Sequence, residues 1–458
     1  MKKKLIVCFV VMACTLCMGV AFGCAPAQNQ ASSAAASADA SASADAAASA
    51  GSAEASASSD AASSASASQA AAPASGEMLT LAEYAEKYPL QTNTWLQKRE
   101  DGGKCMATME ENFRGTLSAA FGMDGIPLYC GSCHNANYKQ LLAEVGDENM
   151  LVTDAHYDGT IEYMGCGVCH SADLEAGVDD NTSFWPTFIS EESWNKYINQ
   201  DDAVCGQCHM LEPSSAYMLP EFRGTVDIYK YGIDADSVYK AMMEAWEENP
   251  IEITQAMVDN GFHVGASRID EETGALIIGD NNKPILETFQ GSNHQNLGLT
   301  CTDCHMVKAT AEDGTEYTDH FACDPLKNET ALEKCLTCHT AQGQEDTEAM
   351  RAFVIGKQEE LAKAQQALEA NLAAFKDELV KANSDSATDA GALKAAQEAY
   401  TKAVFYTQFQ AQLTSDKKNQ GATAAHNPTE TYANIEKAET AIAEGMAALG
   451  VEGTAQAA

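Results

Sequence analysis

Five copies of one short pattern carry the chemistry of this chain. They are Cys130-Gly131-Ser132-Cys133-His134, Cys166-Gly167-Val168-Cys169-His170, Cys205-Gly206-Gln207-Cys208-His209, Cys301-Thr302-Asp303-Cys304-His305 and Cys335-Leu336-Thr337-Cys338-His339. Two thiols at this spacing can add to the two vinyl groups of a single haem, and the adjacent histidine then falls beneath the porphyrin as an axial iron ligand. A zinc ribbon takes its ligands in fours and gives no reason for a histidine after every second cysteine. A thioredoxin-like redox pair needs one such turn, not five. The pattern points to five covalently held c-type haems, with His134, His170, His209, His305 and His339 as proximal ligands.

The elements that position these motifs are of two kinds. The motifs start 36, 39, 96 and 34 residues apart, so most of the haems sit in closely spaced wraps where short helices and loops pack on porphyrin instead of on one another. The long interval from Met210 to Thr300 contains Gly224, Gly232, Gly261, Gly265, Gly274 and Gly279, and reads as loops with short elements. Further on, Leu361, Ala364, Leu368, Leu372, Phe375 and Leu379 fall on one stripe of a long helix. Two more helical runs cover about residues 393–413 and 429–449, the last set off by Asn427-Pro428, because a residue before proline is pushed out of the helical region. The stripe fits intrachain packing and a dimer interface equally. The expected fold is mainly α: a pentahaem domain over residues 77–343, then a C-terminal helical region over 344–458 that could serve a homodimer.

The beginning of the chain reads as an address. Lys2, Lys3 and Lys4 precede an apolar run, and Ala21-Phe22-Gly23-Cys24 closes it with small residues, so residues 1–23 read as a signal peptide. Cleavage before Cys24 leaves either a soluble protein or, the favoured reading, a lipid-anchored one. Residues 31–70 hold 34 Ala or Ser out of 40. Residues 24–76 therefore form a tether without core-building side chains, with a reach on the order of 40 Å. With 28 basic against 66 acidic residues and a net charge of −38, the chain is no nucleic-acid binder working through a basic surface.

The motifs and their surroundings resemble the ammonia-forming pentahaem cytochrome c nitrite reductases. The resemblance rests on Glu287-Thr288-Phe289, the run Gly291 to His294 and Cys301 to Met306, on Tyr317-Thr318-Asp319-His320, on His426-Asn427-Pro428, and more loosely on Asp227 to Gly232. It implies that His294, His320 and His426 are distal ligands of the fifth, second and fourth haems. It implies six-electron reduction of nitrite to ammonium at the first haem, with electrons from a membrane quinol-oxidising tetrahaem cytochrome. The chain departs from the family in several places. His134 stands where most members have lysine. Asp280, Asn282 and Lys283 stand where the family has a lysine, a glutamine and the catalytic histidine, which counts against both that histidine and the family's calcium ion. Leu211-Glu212 replaces a Glu-Tyr pair, and Lys104, Cys105 and Met106 occupy the place of an upstream distal histidine.

Ten histidines less five proximal ones leave His156, His263, His294, His320 and His426. If all five bound iron, every haem would be six-coordinate and the protein an electron carrier alone. If only the last three do, an iron stays open for an anion, as a reductase requires. On that reading His263 serves as a substitute proton donor or anion-binding group, Arg114 holds the anion, and Tyr217 is a further candidate; His156 is structural. A reductase of another small oxyanion or of hydroxylamine fits the same residues. Cys105 and Cys323 either form a disulfide, or Cys105 ligates the third haem.

Overall fold

The computed structural model describes residues 81–97, 126–127, 151–152, 166, 169–170, 188–207, 209–211, 224–251, 267–279, 284–322, 324–411 and 421–451. All of them belong to one compact unit, Gln69 to Ala458. The address segment and tether, with Cys24, lie outside the described residues.

The fold is mainly helical, as the sequence patterns predict. Ahead of the C-terminal helices the elements are short. Helices α1 (Leu81–Lys87) and α2 (Pro89–Trp95) precede the antiparallel two-residue strands β1 (Ile126–Pro127) and β2 (Leu151–Val152). Helices α3 (Glu191–Tyr197) and α4 (Gln200–Gly206) start on Ser190 and Asn199, whose side chains accept from Ser193 N and Asp201 N. Such caps satisfy donors that a helix start leaves open.

The interval between the third and fourth motifs departs from the glycine-based expectation. It holds the 14-residue helix α5 (Ala235–Glu248), which buries Val238, Ala241 and Met242 on one face. Asp234 caps this helix, its Oδ1 accepting from both Asp236 N and Ser237 N at 3.1 Å. Gly232, at φ 147°, sets the entry: a Cβ there would lie 2.8 Å from Ser237 Oγ. The glycine marks a helix start, and only the side chains beyond it reveal the helix.

A hairpin of β3 (Arg268–Ile269) and β4 (Leu276–Ile277) follows. Then come α6 (Ile285–Phe289), α7 (Asn293–Asn296), α8 (Cys301–His305), the antiparallel pair β5 (Lys308–Thr310) and β6 (Glu316–Thr318), and α9 (Glu329–His339).

Three long helices close the chain: α10 (Thr347–Ser384), α11 (Ala390–Ala411) and α12 (Pro428–Ala448). Leu361, Leu368, Phe375 and Leu379 of the predicted stripe are 0% exposed, and Ala364 and Leu372 pack on the same core. Intrachain packing therefore accounts for the stripe, and a dimer face would need other residues. Helices α10 and α12 approach closely because Gly445 lacks a side chain; a Cβ there would come 2.0 Å from the Phe375 ring. Among the described residues no helix is long and apolar enough to cross a membrane.

Candidate functional site

Each motif with described residues turns as a helix. His170 N and His209 N bond Cys166 O and Cys205 O at 3.0 Å. The fourth motif is α8 itself, and the fifth is the C-terminal end of α9. Positions one, four and five of a helical turn share a face, so both thiols and the imidazole of a motif point the same way. Cys166, Cys169, Cys205, Cys301, Cys304, Cys335 and Cys338 are free of disulfides. Burial pushes the Cys169 thiol up to about 12 and that of Cys304 up to about 11, so these groups stay protonated. Among the described residues no three His, Cys, Asp or Glu side chains gather as a metal cluster.

Three motif histidines each face a histidine from elsewhere in the chain. The ring centroids of His170 and His320 lie 6.3 Å apart, those of His305 and His426 6.3 Å, and those of His339 and His294 6.2 Å. A first-row metal ion held by two imidazole nitrogens at about 2.0–2.1 Å each separates the centroids by roughly 6 Å. The spacing, the thiol pairs beside it and the neutral rings together suit an iron porphyrin in each pair. Burial lowers the pKa of His294, His305 and His320, and pushes His426 down to about 3 with the help of His305, His209 and His294 nearby. A metal-ligating imidazole must be neutral.

Local structure aims these rings. His320 follows β6: its N–H bonds Thr94 Oγ1 of α2 at 2.9 Å, and its Nδ1 sits 2.8 Å from Thr318 O. His305 Nδ1 lies 2.8 Å from Ala322 O. A carbonyl oxygen only accepts hydrogen bonds, so in both rings Nδ1 carries the hydrogen and donates it, and Nε2 keeps its lone pair. His294 rides on α7, capped by Ser292 and entered through Gly291 at φ 75°. His426 is delivered by the C-terminal helices. Buried Gln365 of α10 donates to Gln410 Oε1 at 2.7 Å, and its own Oε1 accepts Gly421 N at 2.7 Å. From Gly421 a single 3-10 turn, Ala422–Ala425, leads to His426, and Asn427 then caps α12. Phe289, from the Glu287-Thr288-Phe289 segment, packs edge-on against the His426 ring at 6.4 Å.

Neighbouring motifs meet through their cysteines. Cys205 lies close enough to Cys169 to oppose its ionisation, the Cys205 and Cys301 side chains interact, and Cys304 lies near Cys335. Two buried carboxylates lie at these junctions, and sequence reasoning assigned neither a role. Asp202 Oδ1 accepts Cys301 N at 2.8 Å. Glu287 Oε1 accepts Leu211 N at 2.7 Å and the Tyr229 hydroxyl. Desolvation pushes Glu287 up to about 7 against those two hydrogen bonds. The signal for Asp202 was an acidic pair, Asp201-Asp202, just ahead of a motif; for Glu287 it was a carboxylate in an otherwise apolar run.

Several sequence-predicted residues lie outside the described residues: Cys130, Cys133, His134, Cys208, Arg114, Tyr217, His263 and His156. So do Lys104, Cys105, Met106, Glu212, Cys323 and the departing positions Asp280, Asn282 and Lys283.

A family model described as cytochrome c552 matches residues 109–457. Among solved structures the chain is similar to the catalytic subunit of a cytochrome c nitrite reductase from Desulfovibrio desulfuricans, a protein with two calcium sites. The identity is 14%, over 81% of this chain and 85% of that one, with a TM-score of 0.57, and the likeness establishes the fold. The outer cell wall cytochrome OcwA matches at 16% identity over 78% of this chain and 50% of that chain, with a TM-score of 0.37.

Proposed function

The chain belongs to the cytochrome c552 family, and from that premise we propose an exported pentahaem cytochrome that reduces nitrite to ammonium at the haem of Cys130, Cys133 and His134. Membership makes the cofactor covalently bound haem c and the class of chemistry oxidoreductase. The observation that carries the multihaem reading is the set of three histidine pairs at 6.2–6.3 Å, each joining a motif histidine to a histidine from another segment. In this reading His320, His426 and His294 hold the second, fourth and fifth irons from the distal side. The Cys169–Cys205–Cys301 and Cys304–Cys335 neighbourhoods support a relay through haems two, three, four and five.

When bound, the first haem supplies an iron on which the anion sits and through which electrons reach it. The chain supplies the rest. The Arg114 guanidinium offers paired N–H donors to the oxyanion. An imidazole N–H of His263 delivers protons, and the Tyr217 hydroxyl donates a further hydrogen bond. The proposed setting is extracytoplasmic: Cys24 carries a lipid, residues 24–76 tether the body to the outer face of the cell membrane, and a quinol-oxidising tetrahaem cytochrome provides electrons. Calcium is no part of the proposal, because Asp280 and Asn282 replace the family's residues.

The decisive measurement is the haem spin state of the oxidised protein. One high-spin haem in five, shifting when nitrite or cyanide is added, is expected. Five low-spin haems without a ligand response would favour a carrier instead, the reading that Lys283 at the catalytic-histidine position supports. His426→Ala should convert one further haem to high-spin while nitrite still binds at the first.

A further inference from the structure

The junction between the third and fourth motifs holds a charge that packing alone does not account for. Asp202, on the first turn of α4, is fully buried. Its Oδ1 is occupied by the Cys301 amide, 2.8 Å away and 99 residues along the chain, which ties the start of α8 to the helix carrying Cys205. Its Oδ2 is equally buried and has no geometric hydrogen-bond partner among the described residues, although the Cys301 side chain interacts with the carboxylate. No lysine or arginine among them pairs with it. Its charge reaches the sulfurs of both Cys205 and Cys301, whose side chains interact with each other. An asparagine would satisfy the Cys301 amide equally well, without burying a charge whose desolvation is costly. A ferric haem would supply the positive charge that a carboxylate in this position lacks among the described residues, and reduction would remove it.

We propose that Asp202 is a buried fixed anion shared by the third and fourth haems, holding the reduction potentials of both below those they would otherwise have. The proposal rests on Cys205 and Cys301 being attachment points of those two haems. Asp202 touches no substrate; it acts through the two haems, as a positioning residue for their charge. A carboxylate beside both thioether edges stabilises the ferric over the ferrous form, and the effect is strong because little water screens it. With both relay haems lowered together, an electron crosses between them without a step in potential created by an anion on one side only.

The test is an optical redox titration of the purified holoprotein together with its intact mass. Asp202→Asn keeps an acceptor for the Cys301 amide and removes the charge; Asp202→Ser does the same with a shorter side chain. The expected result is full haem load and two of five haems moved to higher potential, by about tenfold in their ferric-to-ferrous ratio, or about 59 mV each. The other three should stay in place. Unmoved curves, or five haems moving together, would overturn the proposal. So would loss of the third and fourth haems from both variants, since Asp202 would then be only a clamp. The wild-type mass separates the two kinds of failure: fewer than five haems removes the premise, whereas five haems with an unmoved variant titration removes the proposal.

Discussion

The C-terminal helices and the motif-bearing part of the chain solve the same problem with different materials. In α10, α11 and α12 the interior is made of side chains: Leu361, Leu368, Phe375, Leu379, Phe405 and Phe409 have no exposed surface. Before residue 340 the longest described helix has 14 residues, and the paired histidines and most of the described motif cysteines are only half-buried. Those residues are the ones that the proposed haems would engage. A stretch that will pack on porphyrin needs turns of the right spacing and few long helices. A stretch that must pack on itself needs a continuous apolar stripe. The two halves therefore depend on different things, and mutations should separate them.

The largest effect is expected from Cys301→Ala combined with Cys304→Ala. The intact mass should fall by one haem, and limited proteolysis should cut first around α6 to α8, where the lost porphyrin had been the packing partner. Unchanged mass, or unchanged protease resistance in that stretch, would break the contrast. Next comes Leu368→Ala in the bundle. It leaves a cavity in a side-chain interior and should destabilise by about 2–5 kcal/mol in thermal or denaturant unfolding. The haem count and absorption spectrum should stay as they were. A spectral change would mean that the bundle's packing is not separable from the haem sites.

The contrast also explains what the sequence makes legible. Haem attachment is local, since the five cysteine-histidine motifs each declare themselves within five residues. The stripe is local too, because a helix repeats it. Partner choice is not local: His170 meets His320, and His305 meets His426, across segments that no periodicity links, so a family resemblance was the only guide to His294, His320 and His426. Helix α5 went unread because Gly224 and Gly232 precede it while its cap and buried face lie among polar residues. Asp202 and Glu287 were unreadable for another reason. A carboxylate's burial depends on which elements close over it, and a sequence shows acidic residues mostly as surface.

Glu287 gives the third prediction, smaller than the cavity effect at its upper end. Its carboxyl is pushed up to about 7 from an ordinary value of 4.5, chiefly by desolvation. Below about pH 4.5 it is protonated both folded and unfolded, and folding costs nothing extra. Between about 4.5 and 7 the unfolded chain releases a proton that the folded chain keeps, so stability falls as pH rises, by on the order of 3 kcal/mol in all. Glu287→Gln keeps an oxygen for Leu211 N and the Tyr229 hydroxyl. The variant and the parent should have equal unfolding midpoints near pH 4, with the variant more stable at pH 8. Parallel pH profiles would show that this carboxylate is not the buried cost it is taken for.

The smallest effect is expected where the two parts meet. The turn between β3 and β4 docks on the bundle through three contacts. Lys376 Nζ pairs with Glu272 Oε2 at 2.6 Å, Asn383 Nδ2 donates to Glu272 O at 3.0 Å, and Gln397 Nε2 donates to Thr273 O at 3.0 Å. The ion pair is the most conspicuous of these and should matter least. Its side chains are 40% and 64% exposed, water screens them, and holding two long side chains in one geometry costs entropy, so Lys376→Ala should change stability by about 0–1 kcal/mol. Gly274 occupies the same turn at φ 68°, and a Cβ there would lie 2.4 Å from Gln397 Nε2. Gly274→Ala should therefore cost more than Lys376→Ala: it strains a left-handed residue and displaces the Gln397 amide from Thr273. Unfolding midpoints at low and high salt check the ranking. If Lys376→Ala proves the more damaging variant, or if its effect survives high salt, the junction is held by charge instead of backbone fit.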